Sequence, residues 1–437
     1  MTKPDTLDQK IRLLVAELVN SAPLAPPLPD RDARVQWRNR RRRRLALRSL
    51  TAAVAVAGLA LVASLALTGG LAPSPNWALA GEISSSWAQV PGRGLTSGFS
   101  LTCPSTTTCY AETPISAQGS VEVTRDGGKT WQPAPNKGGT PLSNVACWST
   151  AECAFLEVGG SGQPVFFETA DGGRTWTPHP GPAMLSGADS VRKGPSGTRS
   201  AIGPVELSCP AASTCTAVAG DPNLVAGFET EDGGRTWSAF SYMPITPLQL
   251  QCFRDARCIS TGGGGASYST DNGLEWSNVS ELDATTVQLL SCSSPKACTA
   301  VSSPPFGGPG TALFASRNGG QSWSTVEAQG LPAGEAFLGL ACPTASECWM
   351  AGNVPVHLRD GRTVLGTGGT TVSSTTDGGR TWQSTALPKG ITGIASLSCP
   401  NPSACFAVAV KGPRASSSGP LKARPSLALL VYTQPRG

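Results

Sequence analysis

Six copies of one octapeptide hold most of the side chains in this sequence that could do chemistry. TRDGGKTW ends at Trp131, and the pattern returns as TADGGRTW at Trp176, TEDGGRTW at Trp237, STDNGLEW at Trp276, SRNGGQSW at Trp323 and TTDGGRTW at Trp382. Five of the six set a carboxylate ahead of a tryptophan, Asp126, Asp171, Asp232, Asp271 and Asp377, with Asn318 in the fifth, and two hydroxyl residues flank the position in every copy but the fourth. A carboxylate so placed could act as a general acid or base. Shared catalysis would need the six to converge on one substrate, and six copies on a repeat point in six directions. The alternative chemistry is local. The Asp accepts hydrogen bonds from backbone N–H groups of its own turn. Gly128, Gly173, Gly234, Gly273, Gly320 and Gly379 take positive φ, and the tryptophan packs between strands. Asn318 for Asp and Glu275 for Thr are changes that a turn tolerates and an active site does not. The boxes therefore read as structural.

The second reactive set is fourteen cysteines, which form seven pairs of one spacing, C-x5-C. They are Cys103 with Cys109, Cys147 with Cys153, Cys209 with Cys215, Cys252 with Cys258, Cys292 with Cys298, Cys342 with Cys348 and Cys399 with Cys405. Each first Cys ends a β-like run such as PVELSC or PLQLQC, and each second opens another such as CAFLEV or CFAVAV. Turn formers lie between. Connectivity does not in general follow from sequence, but one local spacing used seven times predicts a disulfide within each hairpin. Zinc would use shorter ligand spacings. With two histidines in the chain, His179 and His357, mixed ligation has little material. No metal and no cofactor is expected.

These residues need short strands to position them. Hairpins and boxes alternate, and box tryptophans lie 45, 61, 39, 47 and 59 residues apart. Each unit then holds four strands: before the first Cys, after the second, before the box, and from the tryptophan onward. Four strands and their turns per repeat make a β-propeller blade. Seven hairpins against six boxes leave the last blade a strand short after SLALLVYT, Ser426 to Thr433. The stretch SSSWAQVPG around Trp87 is expected to supply it and close the ring. Closure removes sheet edges that would otherwise pair with other chains.

From about Trp87 to Thr433 the chain resembles the WD40/YVTN/BNR-like repeat propellers. It is nearest to the sortilin-type and photosystem II assembly-factor propellers, whose blades also carry boxes of the form DGG-x-T-W. That resemblance implies a non-catalytic platform for a protein or cell-envelope ligand. The same box occurs in sialidases, so a sialidase-like glycoside hydrolase is the competing implication. Such enzymes use an arginine cluster, a Tyr nucleophile with a Glu partner, and an acid/base Asp. The R-I-P entry signature is absent, and Tyr110, Tyr242, Tyr268 and Tyr432 have no evident Glu partner. No phosphate loop or nucleophile elbow appears. Two insertions are candidate recognition loops. One spans about Thr177 to Gly203 with Arg192, Lys193 and Arg199. The other spans about Asn353 to Gly369 with His357, Arg359, Asp360 and Arg362. The competing reading of each is a solvated insertion.

Residues 1–50 carry 12 Lys/Arg against 5 Asp/Glu. The remainder, from the chain totals of 34 and 29, carries 22 against 24, so nothing there argues for nucleic acid. Arg38 and Arg40 to Arg44 precede an uncharged apolar run, Leu50 to Ala72, long enough to cross a bilayer with its basic flank in the cytoplasm. Ala78 to Ala80 resemble a signal-peptide cleavage site, but the preceding fifty residues favour an uncleaved anchor. The expected organisation is a cytoplasmic tail (1–48: short amphipathic helix, Pro-rich spacer, Arg cluster), a transmembrane helix (49–72), a linker (73–83) and an all-β, seven-bladed extracytoplasmic propeller (84–437) at the cell membrane. Cysteines confined to the part beyond the span agree with an oxidising compartment.

Overall fold

A strand buried on both faces reads as an apolar run, and a strand with one polar face alternates. Both patterns recur here. Second strands such as Cys348–Asn353 are buried at every position. First strands such as Val205–Ala211 alternate buried and half-exposed residues. The computed structural model describes residues 76–83, 99–112, 120–134, 140–141, 143–158, 164–182, 192–193, 199–200, 205–221, 224–240, 243–282, 285–302, 311–354, 356–357, 363–364, 370–385, 387–412 and 426–433. Among them no helix is long and apolar enough to cross a membrane. The expected span Leu50–Ala72 and the cytoplasmic tail lie outside the described residues.

The strands form seven antiparallel blades in meander order, inner strand first. Blade 1 is Ser100–Thr102, Cys109–Glu112, Val121–Thr124 and Gln132–Pro133. Blade 2 splits its inner strand into Thr140–Pro141 and Ala146–Cys147, both paired with Cys153–Val158, and continues through Pro164–Thr169 and Thr177–Pro180. Blade 3 runs from Val205–Ala211 to Ser238–Phe240, blade 4 from Thr246–Cys252 to Ser277–Asn278, blade 5 from Leu289–Cys292 to Ser324–Val326, and blade 6 from Ala336–Ala341 to Gln383–Thr385.

A disulfide closes the hairpin between the first and second strands of every blade. Cys103 is bonded to Cys109 in blade 1, Cys147 to Cys153 in blade 2 and Cys209 to Cys215 in blade 3. Cys252 is bonded to Cys258 in blade 4 and Cys292 to Cys298 in blade 5. Cys342 is bonded to Cys348 in blade 6 and Cys399 to Cys405 in blade 7.

Blade 7 joins the two ends of the chain. Ile391–Asn401, Ala404–Lys411 and Ser426–Thr433 supply three strands, and Asn76–Glu82 pairs antiparallel with the third as the outermost. The ring-closing strand therefore lies within the span expected as a linker, not around Trp87, which is outside the described residues. The physical reason is a shared slot. Each box tryptophan packs back onto the preceding blade: Trp176 on Tyr110 of blade 1, Trp237 on Phe166 of blade 2, Trp131 against Phe406 and Leu429 of blade 7. Trp77 fills the seventh slot, edge-on to Trp349 of blade 6 and beside Tyr432. The hydrophobic core is accordingly a circle of clusters at blade junctions rather than one central mass.

Candidate functional site

The boxes consume their own polar groups. In the first, Thr130 N–H and Oγ1 donate to the two Asp126 carboxylate oxygens at 3.0 and 2.6 Å, and Thr124 Oγ1 donates to Asp126 Oδ1 at 2.8 Å. Gly128 N–H then donates back to Thr124 Oγ1 at 2.8 Å. The same set recurs around Asp171, Asp232 and Asp377. Hydrogen bonds from Thr130 hold the Asp126 carboxyl far below the usual range, and those from Thr175 lower Asp171 to about 2. A carboxylate held ionised by three or four donors is a poor acid–base catalyst. Asn318 copies the geometry: its Oδ1 accepts from Ser322 N–H at 3.0 Å and its Nδ2 donates to Ser322 Oγ at 2.8 Å. In the fourth box, Glu275 N–H still donates to Asp271 Oδ1 at 3.0 Å. Trp276, Trp323 and Trp382 donate their indole N–H to the carbonyls of Gly273, Gly320 and Gly379 at 2.7, 3.0 and 2.8 Å.

The site with room for a ligand is the central channel, a cavity of about 580 Å³ walled by the inner strands of all seven blades. The residues one and three before the first Cys line it in blades 1 to 4, as Thr102/Ser100, Ala146/Asn144, Ser208/Glu206 and Gln251/Gln249, and the residue one before lines it in blades 5 to 7, as Ser291, Ala341 and Ser398. An innermost strand has no sheet neighbour on its channel edge, so its N–H groups need other partners. Polar side chains of the preceding blade supply them. Ser396 and Ser398 accept from Leu101 and Cys103 N–H at 3.1 and 3.0 Å, and Gln249 and Gln251 from Leu290 and Cys292 N–H at 2.8 and 3.0 Å. Asn144 clamps Leu207 through both N–H (2.7 Å) and C=O (2.9 Å). Ser208 and Ser291 take the Cys252 and Cys342 N–H, both at 2.8 Å. Thr102 and the buried Glu112 bridge to Val145, and Asn353 clamps Ile394. Every blade junction is thus bonded across the channel wall.

Two ionisable side chains line the channel among the described residues, Glu206 and Arg254. Arg254 lies at the rim on the disulfide-hairpin side with Trp148 and Phe253, donating to the carbonyls of Pro210 (3.1 Å) and Trp148 (3.3 Å). Desolvation pushes the Glu206 carboxyl up to about 7. It pushes Glu112 up to about 8, against the lowering effect of the Val145 N–H, and the nearby Glu206 adds to the rise. Neither Glu206 nor the channel clamps stand out in sequence as single residues. Their signal is a polar residue at both one and three residues before the first Cys in blades 1, 3, 4 and 7.

Other candidates sit elsewhere. Tyr110 is fully buried at the junction of blades 1 and 2, its hydroxyl raised to about 12 mainly by desolvation. Tyr432 is buried against Trp349, Tyr268 lies at a blade junction, and Tyr242 lies outside the described residues. His179 is on the outer strand of blade 2, its Nε2 3.5 Å from Glu168. The two insertions each contain a two-stranded ribbon, Arg192–Lys193 with Arg199–Ser200 and Val356–His357 with Thr363–Val364. Arg359, Asp360 and Arg362 fall outside the described residues. Among the described residues no three His, Cys, Asp or Glu side chains gather to hold a metal.

No family model and no curated protein matches the sequence. Solved structures do. YCF48 bound to D1 peptide superposes with a TM-score of 0.51 at 15% identity, covering 83% of this chain and 97% of that one. The fold shared with it is a β-propeller. YCF48 from Cyanidioschyzon merolae gives 0.50 at 15% identity over 82% of this chain and 98% of its own. A GH74 enzyme from Niastella koreensis gives 0.51 at 13% identity over 74% of this chain, which spans only 52% of that enzyme. The likeness to both a YCF48 propeller and a glycoside hydrolase is one of architecture, and the choice between platform and enzyme rests on this chain's own site.

Proposed function

We propose that this protein is a membrane-anchored, extracytoplasmic propeller that binds a protein partner at the disulfide-hairpin mouth of its channel. One observation carries the reading. All seven blades converge on a single channel with polar walls and a rim of Trp148, Phe253 and Arg254, held rigid by clamps at every junction. Aromatic and arginine side chains around the mouth of a rigid concavity are what protein interfaces favour. Boxes and disulfides supply the rigidity, and the basic-flanked apolar run supplies the anchor. That one YCF48 propeller was solved with a D1 peptide supports a peptide-binding use of this architecture.

The test is photo-crosslinking in intact cells, with a photoreactive residue at Phe253 and, as control, at the exposed Ser324 on the outer strand of blade 5. A discrete protein adduct from position 253 and none from 324 is expected. Adducts at both positions, or at neither, would sink the proposal. A hydrolase remains a second reading because Glu206, raised to about 7 in the channel wall, could serve as a general acid. Turnover of chromogenic sialosides or related glycosides that is lost in Glu206→Gln would decide for it.

A further inference from the structure

Three of the residues that stand three positions before a first Cys make the same bond. Ser396, Asn144 and Gln249 each accept the N–H of the residue two before the next blade's Cys. Ser100 of blade 1 lies beside Glu112, which takes the corresponding Val145 N–H in its stead. Glu206 makes no such bond either: its half-buried carboxyl faces the channel without a hydrogen-bond partner among the described residues. Arg254, the other charged group on the wall, is engaged by two carbonyls. Glu206 lies four residues along its strand from Pro210 at the rim, roughly 13 Å at β-strand rise. The channel between them is lined by hydroxyls, amides and carbonyls, with space for an extended alkyl chain.

We infer that the channel receives a single primary ammonium group from the bound partner, a lysine side chain or a chain N-terminus, with Glu206 as its counter-ion and Glu112 as a second carboxyl behind it. The inference rests on the platform reading and names the chemistry its partner must carry. Ammonium fits better than a guanidinium or a divalent ion. One carboxyl flanked by hydroxyl and amide oxygens suits a compact three-donor cation, whereas hard divalent ions gather several carboxylates. The groups facing Glu206 are Ser100 and Glu112 of blade 1, Asn144 of blade 2 and Gln249 of blade 4, with Arg254 more distant at the rim. Of these only Glu112 titrates near neutrality, and a bound cation would draw Glu206 into its ionised form with release of a proton.

The experiment is calorimetric titration of the full chain in detergent with n-butylammonium chloride as the lysine mimic, and with glycinamide at pH 7 as the N-terminus mimic. For wild type, n-butylammonium should bind saturably and at least tenfold tighter at pH 8.5 than at pH 5.5, since the ligand stays charged throughout while Glu206 ionises. Glu206→Gln should lose this binding while melting no lower than wild type, and Glu206→Asp should retain the pH dependence. The stronger of the two mimics names the source of the ammonium. Equal binding by wild type and Glu206→Gln would overturn the inference, and so would equal binding of n-butanol or tetramethylammonium. If Glu206→Gln still crosslinks the same partner in cells at undiminished yield, the ammonium site falls while the platform stands.

Discussion

The box glycines show how one residue decides a junction. Gly234 has φ +80°, and a Cβ there would lie 2.3 Å from the Phe166 ring of the neighbouring blade. Gly172 has φ +72° but open space around it. Gly234→Ala therefore meets both a backbone penalty and a packed aromatic, and should lose about 2–4 kcal/mol, against about 1–2 kcal/mol for Gly172→Ala. Chemical denaturation of the two variants checks the order. Titration gives a second prediction. Asp171 and Asp232, lowered to about 2 in the fold, stabilise it above their ordinary value of 3.8, and that stability is lost as pH falls toward about 2. Glu112 and Glu206 act oppositely. Raised to about 8 and 7 from 4.5, they leave the fold holding more protons than the unfolded chain across that window, so stability falls as pH rises through it. The melting temperature should peak at about pH 4–5 and decline toward pH 8, and Glu112→Gln should flatten the decline.

At the scale of the element, the closing strand is the point of greatest leverage. Trp77 is 5% exposed, and it packs on a blade to which its own segment is not adjacent in sequence. Trp77→Ala should cost about 3–5 kcal/mol, the usual loss for a large buried aromatic, measured by urea denaturation; an unchanged midpoint would contradict the packing. Opening the hairpin disulfide of one blade by a double Cys→Ser change should cost about 2 kcal/mol in the chain-entropy model, because a seven-residue loop closes cheaply. Most of this element structure is legible in sequence, since box and hairpin mark the ends of the same strands in six blades. Blade 7, shared by the two ends of the chain, is where the reading slips. It has no box, so nothing marks its outer strand, and box spacings of 39 to 61 residues admit Trp77 as readily as Trp87. Only the slot beside Trp349 and Tyr432 separates them. The channel was hidden for a related reason. A polar residue alternating in a strand usually means a solvated face, and that these faces meet around one axis is a property of the closed ring, not of any strand.

The whole molecule binds these scales together through its seven bridges. Every described cysteine is paired, with no free thiol. Such bridges form and persist in oxidising compartments, and each closes within its own hairpin, so none depends on the ring forming first. If the propeller matures outside the cytoplasm, as the basic flank of Leu50–Ala72 implies, full-length protein from native membranes should resist a thiol-alkylating reagent until reduced. Mass spectrometry of its unreduced peptides should then return seven self-closed C-x5-C loops. Expressed instead in a reducing cytoplasm without its first 72 residues, the chain keeps boxes, clamps and Asn76–Glu82 but lacks the staples. It should still close into a ring, because junction packing and the channel bonds are independent of the sulfurs, yet unfold at lower urea with all blades in one transition. Separate transitions for individual blades would mean that the clamps and the closing strand do not couple the junctions. Free thiols in the native protein would place the propeller on the cytoplasmic side instead.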